Sequence, residues 1–350
     1  MELRANCLKA LAINDLNEKL NQVNVIYESF KSYQLTIDSK ADIQNIYHLP
    51  GAPSKPQIVP PKLVEKRSTS TEQGKLIFIH ALAHIEFSAI NLALATARTH
   101  SADLVIANDP DADRCAAAIK DRSGHWRMLR GDELGVIFGE WIARTSPQGT
   151  FGNSIVSSSI LQKISAHYGI DFKEVLTGFK WLAKIEDLAF GYEEAIGYAV
   201  DSETVNDKDG ISAALFLAQI ATDLNANGKT LVDLLNEVWA RHGFHGTEQI
   251  SIRVSDMSRI TELLAGLRKS PPAEIAGRTV SSIDDLAAPK DGLPPTDGLR
   301  IWLDGGIRII IRPSGTEAKM KCYIEVITKD QKSANDLLNQ LRQPLKDFLA

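Results

Sequence analysis

Three carboxylates stand at alternate positions, Asp109, Asp111 and Asp113, directly after a short apolar run at residues 104–107. Negative charges packed this closely repel one another unless a cation is shared, and hard oxygen ligands at this density suit magnesium or calcium. The apolar run reads as a buried strand, and residues 88–99 ahead of it have a helical period. The acidic loop therefore falls at the carboxyl end of a strand that follows a helix, which is where open α/β sheets place their ligands. One stretch of chain thus predicts both a layered α/β class and the edge of the sheet where chemistry is to be sought.

An EF-hand does not fit. With Asp109 as first ligand, Arg114 stands where its glycine belongs and Lys120 where its bidentate glutamate belongs. A haloacid-dehalogenase-type phosphatase also opens with Asp-x-Asp after a buried strand, but its Thr-Leu or Thr-Val continuation is replaced here by Asp113-Arg114.

A second α/β pattern lies beyond the acidic loop. Asp132 is placed to cap a helix at 133–144, residues 153–157 read as a strand, and Ser159 is placed to cap a helix at 160–168 that Gly169 ends. A strand at 172–176 comes next, then helices at 211–224 and 231–242 joined by a turn at 225–228. Thr230 with Asp233 has the spacing of a capping box for the second of these. A last pattern gives a strand at 249–254, a helix at 258–267 and a closing helix at 333–349. Ahead of residue 75 the signals fade. Residues 8–20 have an amphipathic period, but Pro50, Pro53, Pro56, Pro60 and Pro61 interrupt the stretch beyond them and residues 65–75 are polar, so a linker or loosely held segment is expected.

Between two strand-like runs, at 306–311 and 320–326, lies Arg312-Pro313-Ser314-Gly315-Thr316-Glu317. A guanidinium fork, two hydroxyls and the backbone N–H groups of Ser314, Gly315 and Thr316 together can surround a dianion. Gly228-Lys229-Thr230 has the tail of a phosphate-binding P-loop, yet Asp223 replaces the leading glycine and a helix precedes it, so it reads as a helix connection. His242 and His245 have no third ligand near them in sequence and do not make a metal site.

A length of 350 residues suggests two or three domains, and a hydrophobic content of 44% is ordinary for folded cores. The net charge of −5 gives no electrostatic reason to expect nucleic acid or an acidic membrane as partner. No apolar run approaches a membrane span, and residues 1–20 do not form a signal-peptide core. Cys7, Cys115 and Cys322 have no paired spacing, which points to a reducing, cytoplasmic setting with neither disulfide framework nor zinc site.

Four segments in order, Asp109-Pro110-Asp111-Ala112-Asp113-Arg114, Thr177-Gly178-Phe179-Lys180-Trp181, Gly191-Tyr192-Glu193-Glu194-Ala195-Ile196-Gly197 and Arg312-Pro313-Ser314-Gly315-Thr316-Glu317, resemble the α-D-phosphohexomutase superfamily of phosphomannomutases and phosphoglucomutases. The resemblance implies repeated α/β units followed by a small α+β C-terminal domain. It makes Asp109, Asp111 and Asp113 magnesium ligands, with Arg114 beside them on the reacting phosphate. Lys180 would lie in the loop that helps distinguish sugars, and Glu193 or Glu194 would accept hydrogen bonds from sugar hydroxyls. Arg312, Ser314, Gly315 and Thr316 would hold the phosphate that does not react. The glutamate loop, in place of the commoner Gly-Glu-x-Ser-Gly-His, is similar to that of the phosphopentomutase-like and sugar-bisphosphate-forming branch. The implied substrate is a phosphorylated hexose or pentose.

The family's phosphoserine loop, Thr-x-Ser-His-Asn-Pro, does not occur in the sequence, and Ser68-Thr69-Ser70-Thr71 lacks the rest of that motif. The chain is therefore expected to be a member that has lost its first domain and part of its second. The expected organisation is a remnant or linker at 1–74, a partial magnesium-binding α/β domain at 75–148, a sugar-binding α/β domain at 149–245 and a phosphate-binding α+β domain at 246–350. Two other readings stay open: a phosphosugar-binding protein that transfers nothing, and a magnesium-dependent phosphatase with Asp109 as nucleophile.

Overall fold

Residues 64–67, 77–82, 87–99, 101–109, 111–254, 258–290, 292–314 and 319–349 are described in the computed structural model of the chain, those up to residue 92 by their backbone alone. The expected helix at 8–20 and the proline-rich stretch fall outside these residues, as do Gly315 and Thr316. The chain divides into two compact units: residues 1–145 with 188–234, and residues 146–187 with 235–350. The stretch expected to form a sugar domain, 149–245, is shared between them.

The first unit begins with β1 (Val64–Arg67), a strand where a linker was expected, and β2 (Ile77–Leu82). Helix α1 (Phe87–Thr99) leads to β3 (Leu104–Asn108), β4 (Cys115–Lys120), β5 (Trp126–Met128) and helix α2 (Gly131–Thr145). The five strands form one sheet in the order β1-β2-β3-β4-β5. β2 and β3 are parallel, whereas β3 and β4 are antiparallel with Asn108 opposite Cys115. Small side chains set the core: Ala93 and Ala97 of α1 pack with Val105, Ala107 and Ala118 of the strands.

In the second unit, β6 (Thr150–Ser154), α3 (Ile160–Tyr168) and β7 (Asp171–Val175) make a parallel βαβ step, followed by the short helix α4 (Phe179–Leu182). β6 ends three residues before the strand that was expected at 153–157 ends. The serine-rich stretch after it turns, with the Ser157 N–H donating to the Ser154 carbonyl at 2.9 Å. Gly169 ends α3 in the left-handed conformation, as its sequence suggests, but Ser159 makes no side-chain cap. A carboxylate from far along the chain does that work.

Back in the first unit, β8 (Leu188–Glu193) and β9 (Gly197–Ala199) form an antiparallel hairpin, and α5 (Gly210–Ala226) comes after it. Asp132, expected as an N-cap, sits inside the first turn of α2 and accepts a hydrogen bond from the Tyr192 hydroxyl at 2.9 Å. Tyr198 donates to the Gly131 carbonyl at 3.0 Å. Two glycines on α2 let the hairpin come this close. A Cβ at Gly131 would lie 1.9 Å from the Glu194 carbonyl oxygen, and one at Gly135 would meet the Tyr192 ring at 2.8 Å.

Helix α6 (Leu231–His242) opens with the expected capping box: the Asp233 N–H donates to the Thr230 hydroxyl oxygen at 3.2 Å, and the Thr230 N–H donates to the Asp233 carboxylate at 3.0 Å. The rest of the second unit is β10 (Phe244–Arg253), α7 (Ser258–Lys269), β11 (Glu274–Ile275), β12 (Arg278–Asp285), β13 (Leu299–Leu303), β14 (Ile307–Pro313), β15 (Lys319–Thr328) and α8 (Gln331–Leu349). The strands pair antiparallel in the order β10-β15-β14-β13-β12-β11. Alternating apolar residues of β13, β14 and β15 bury against Leu264 of α7 and Leu338, Leu341 and Leu345 of α8, which is the helix-on-sheet layering of an α+β domain.

One cluster in this unit is charged and buried. Glu325 on β15, 3% exposed, accepts from the Ser158 hydroxyl at 2.6 Å and from the Ser159 N–H at 2.8 Å. It thus stands at the N-terminus of α3, where a negative charge is favoured. The His245 Nδ1 lies 2.9 Å from the same oxygen, and Arg308 Nη2 lies 2.9 Å from the other. Arg308 also donates to the carbonyls of Ile155 and Ser157. Burial pushes the Glu325 carboxyl up, but Arg308, His245 and Ser158 outweigh it and hold it well below the usual carboxylate range. Among the described residues, no helix is long and apolar enough to cross a membrane.

Candidate functional site

The acidic loop is the connection between β3 and β4. The fully buried Asn108 fixes its two ends, donating from Nδ2 to the Arg114 carbonyl at 2.6 Å and to the Gly210 carbonyl at 2.8 Å. The Gly210 N–H donates to the Ala112 carbonyl at 3.1 Å, so the start of α5 is tied to the loop's middle as well as its end. Ala112 itself is bent into the left-handed region, with φ of 57°. Inside this frame the Arg114 N–H donates to Asp109 Oδ1 at 3.1 Å.

Two of the three aspartates converge. Arg114 Nε lies 4.0 Å from Asp109 Oδ2 and 4.0 Å from Asp113 Oδ1. Asp111 is exposed. Burial raises the Asp109 carboxyl above its ordinary value, and the charge of Asp113 adds to this against the Arg114 N–H. Burial works on Asp113 in the same sense, but there Lys208 prevails and holds the carboxyl low: its Nζ lies 2.8 Å from Asp113 Oδ2. Asp113 in turn raises the Lys208 ammonium above its ordinary value, against the effect of burial. Among the described residues, no three His, Cys, Asp or Glu side chains close around a point as a finished metal cage does. Asp109 and Asp113 nevertheless fit a divalent cation: they are hard oxygen donors on one fixed loop, and their charges disturb each other in a way that a shared cation relieves.

The glutamate loop lies in the same unit and touches the acidic loop through the backbone, the Cys115 N–H donating to the Ile196 carbonyl at 3.1 Å. Glu193 ends β8 and Glu194 comes next in the turn, both half-buried.

The remaining sequence-predicted residues belong to the second unit. Lys180 is exposed on α4, its ammonium 5.6 Å from the centroid of the Trp181 ring. Trp181 packs against a cluster that includes Ile310 of β14 and Tyr323 of β15. Arg312 lies near the end of β14 opposite Lys321, and Ser314 is buried just beyond. The Ser314 N–H, expected to be free for an anion, instead donates to the Lys319 carbonyl at 2.8 Å and closes the turn. Of the groups expected to surround an anion, its hydroxyl and the Arg312 guanidinium remain among the described residues of this turn.

Lys208 went unread in the sequence. It sits in a polar run, Asn206-Asp207-Lys208-Asp209, with no pattern to mark it. A signal was present one residue on, because Asp209 caps α5 by accepting from the Ile211 and Ser212 N–H groups and so marks the start of that helix.

The family model "Phosphoglucomutase/phosphomannomutase, alpha/beta/alpha domain III" matches residues 130–242, and "Phosphoglucomutase/phosphomannomutase, C-terminal domain" matches residues 257–343. A third model, "Protein of unknown function (DUF455)", matches residues 12–146. A Haemophilus influenzae protein named "Probable phosphomannomutase" is 42% identical over 267 residues, 75% of this chain and 54% of that protein. Mouse phosphopentomutase is 34% identical over 68% of this chain and 44% of its own length. The chain spans about half the length of the curated relatives it matches. Among solved structures, the open form of the Paramecium phosphoglucomutase parafusin superposes with a TM-score of 0.55 at 24% identity, covering 71% of this chain and 44% of that one. A phosphoglucomutase/phosphomannomutase family protein of Burkholderia thailandensis does so with a TM-score of 0.54 at 16% identity, covering 75% and 50%. At these identities the likeness concerns the fold.

Proposed function

Because the chain belongs to the phosphoglucomutase/phosphomannomutase family and carries its domain III and C-terminal domain, we propose that it recognises a phosphorylated hexose or pentose for magnesium-dependent phosphoryl transfer between two positions of the sugar. The observation that carries this reading is the acidic loop: Asp109 and Asp113 converge on Arg114, while the loop's backbone is fixed by Asn108 and joined to the glutamate loop. Asp109, Asp111 and Asp113 would hold the magnesium ion, which when bound neutralises charge on the transferred oxygens. Arg114 contacts the reacting phosphate. Glu193 or Glu194 accepts hydrogen bonds from sugar hydroxyls, and Lys180 helps to tell one sugar from another. Arg312, Ser314, Gly315 and Thr316 take the phosphate that stays in place, the guanidinium supplying a charge-assisted pair. The buried, unpaired thiols of Cys115 and Cys322 accord with work in the cytoplasm.

No motif of this chain supplies the phosphoserine that donates and takes back the phosphoryl group, so the chain's own share is binding and positioning. Titration calorimetry with magnesium should show a sugar phosphate binding and the plain sugar not. Arg312→Ala should weaken that binding by about 1.5–3 kcal/mol, the usual size for a charged hydrogen-bond partner. Equal affinity for both sugars overturns the reading. In a coupled assay with a sugar bisphosphate activator, the chain alone should interconvert 1- and 6-phosphosugars negligibly. Robust turnover lost in Asp109→Ala would show instead that a donor is present.

A further inference from the structure

The acidic loop carries its own counter-ion, and that ion comes from another element. Lys208 is not a neighbour of Asp113 in sequence; it is brought there by the start of α5. Asp207 accepts from the Lys208 N–H at 2.7 Å, Asp209 caps the helix, and Gly210 is bonded to the loop through both its N–H and its carbonyl. A Cβ at Gly210 would lie 2.3 Å from the Arg114 carbonyl oxygen and 2.7 Å from that of Ala112, so the helix start and the loop are pressed together as closely as backbone allows. These bonds fix the Lys208 backbone beside the loop, so only a rotation of its side chain can carry the ammonium away. Its ammonium, three-quarters buried, lies 2.8 Å from Asp113 Oδ2, nearer than either Arg114 contact to the aspartates.

We propose that Lys208 is a built-in competitor of the divalent cation, setting its affinity for the acidic loop through the shared carboxylate of Asp113. This rests on the metal reading of that loop. A magnesium ion sits about 2.0–2.1 Å from a carboxylate oxygen. On either oxygen of Asp113 it would then lie within about 7 Å of the Lys208 ammonium, where a unit and a double positive charge repel appreciably even in water. Both cations also draw on one carboxylate, so each satisfies less of the other's demand. By linkage, whatever Lys208 subtracts from metal affinity, the metal subtracts from the Lys208–Asp113 pair. The device makes metal occupancy weak in the resting protein and sensitive to any anion that draws Lys208 away.

The test is manganese binding, followed by electron paramagnetic resonance on the purified chain. Lys208→Met should tighten manganese by about tenfold, from the Coulomb repulsion removed, whereas Lys208→Arg, which keeps the charge, should stay within about twofold of the parent. An unchanged or weaker affinity in Lys208→Met, with the parent still binding manganese, overturns the competition and leaves the metal site standing. No manganese binding by the parent, or binding untouched by Asp113→Asn, removes the metal reading itself. Amine acetylation gives a second measurement on the unaltered chain. Lys208 should label faster when manganese is added, and slower labelling counts against the proposal. Thermal melts identify any variant that has failed to fold, and for such a variant the acetylation measurement decides.

Discussion

At the end of β3, Asp109 and Asp113 meet a half-exposed guanidinium at 4.0 Å and one ammonium at 2.8 Å. On β15, a single Glu325 is surrounded by Arg308, His245, the Ser158 hydroxyl and the Ser159 N–H, and is 3% exposed. The first cluster has carboxylates to spare at the mouth of a loop; the second sets one carboxylate against a guanidinium, an imidazole, a hydroxyl and a backbone N–H. The same side-chain types thus serve two purposes, and balance with burial tells them apart. A buried, matched set holds backbone in place, because each member is expensive to strand. An open set with surplus negative charge is available to a cation that arrives later.

The sharpest way to break the contrast is to strand Glu325. Arg308→Met leaves the buried carboxylate without its cation and releases two carbonyls, so unfolding in urea should show about 3–5 kcal/mol lost. Asp113→Asn, which removes a partly exposed charge that faces Asp109 as well as Lys208, should change stability by less than about 1 kcal/mol. If the two losses are comparable, the division between a structural and an open cluster is wrong.

Acid should separate the clusters next. The Glu325 carboxyl is depressed in the folded protein, so the unfolded chain binds its proton more readily. Its contribution is therefore fully present at neutral pH and drains away as pH falls below the unfolded value of about 4.3. Glu325→Gln should begin less stable at neutral pH and lose less on acidification. Parallel curves for parent and variant between about pH 5 and pH 3 would place the acid-sensitive group elsewhere.

The smallest effect concerns the open loop alone. Ala112 is held at φ of 57°, where an L-residue is strained by roughly 1–2 kcal/mol and glycine is not. Ala112→Gly should raise the melting stability by up to about 1 kcal/mol, glycine's greater freedom in the unfolded chain taking back part of the relief. A loss of stability would show that the Ala112 methyl makes contacts outweighing the strain.

What the sequence disclosed tracks how local the cause is. Helices α3 and α6 run where their period and punctuation put them, with Gly169 left-handed and the Thr230–Asp233 box in place, because each signal acts within a turn or two. Residues 153–157, read as a strand, are strand only as far as Ser154, because the causes of the turn that follows are not local. The carbonyls of Ile155 and Ser157 instead accept from Arg308, more than a hundred and fifty residues on. Asp132 misled in the same manner, its partner being Tyr192. The acidic loop was legible as a charge pattern, but Lys208, which completes it, lies across a hairpin and is invisible to spacing. The mutase family models begin at residue 130, beyond the acidic loop, and another family's pattern covers residues 12–146.

Gly210 sets a limit on how the acidic loop can be altered. Three atoms of that loop and its anchor, the Arg114 oxygen, the Asn108 amide nitrogen and the Ala112 oxygen, stand within 2.7 Å of where any side chain would begin. The position is closed to every residue with a Cβ, and the loop backbone it presses against is held at Ala112 and Arg114. Variants of this site are therefore confined to side chains on a fixed backbone, such as Asp111 or Lys208.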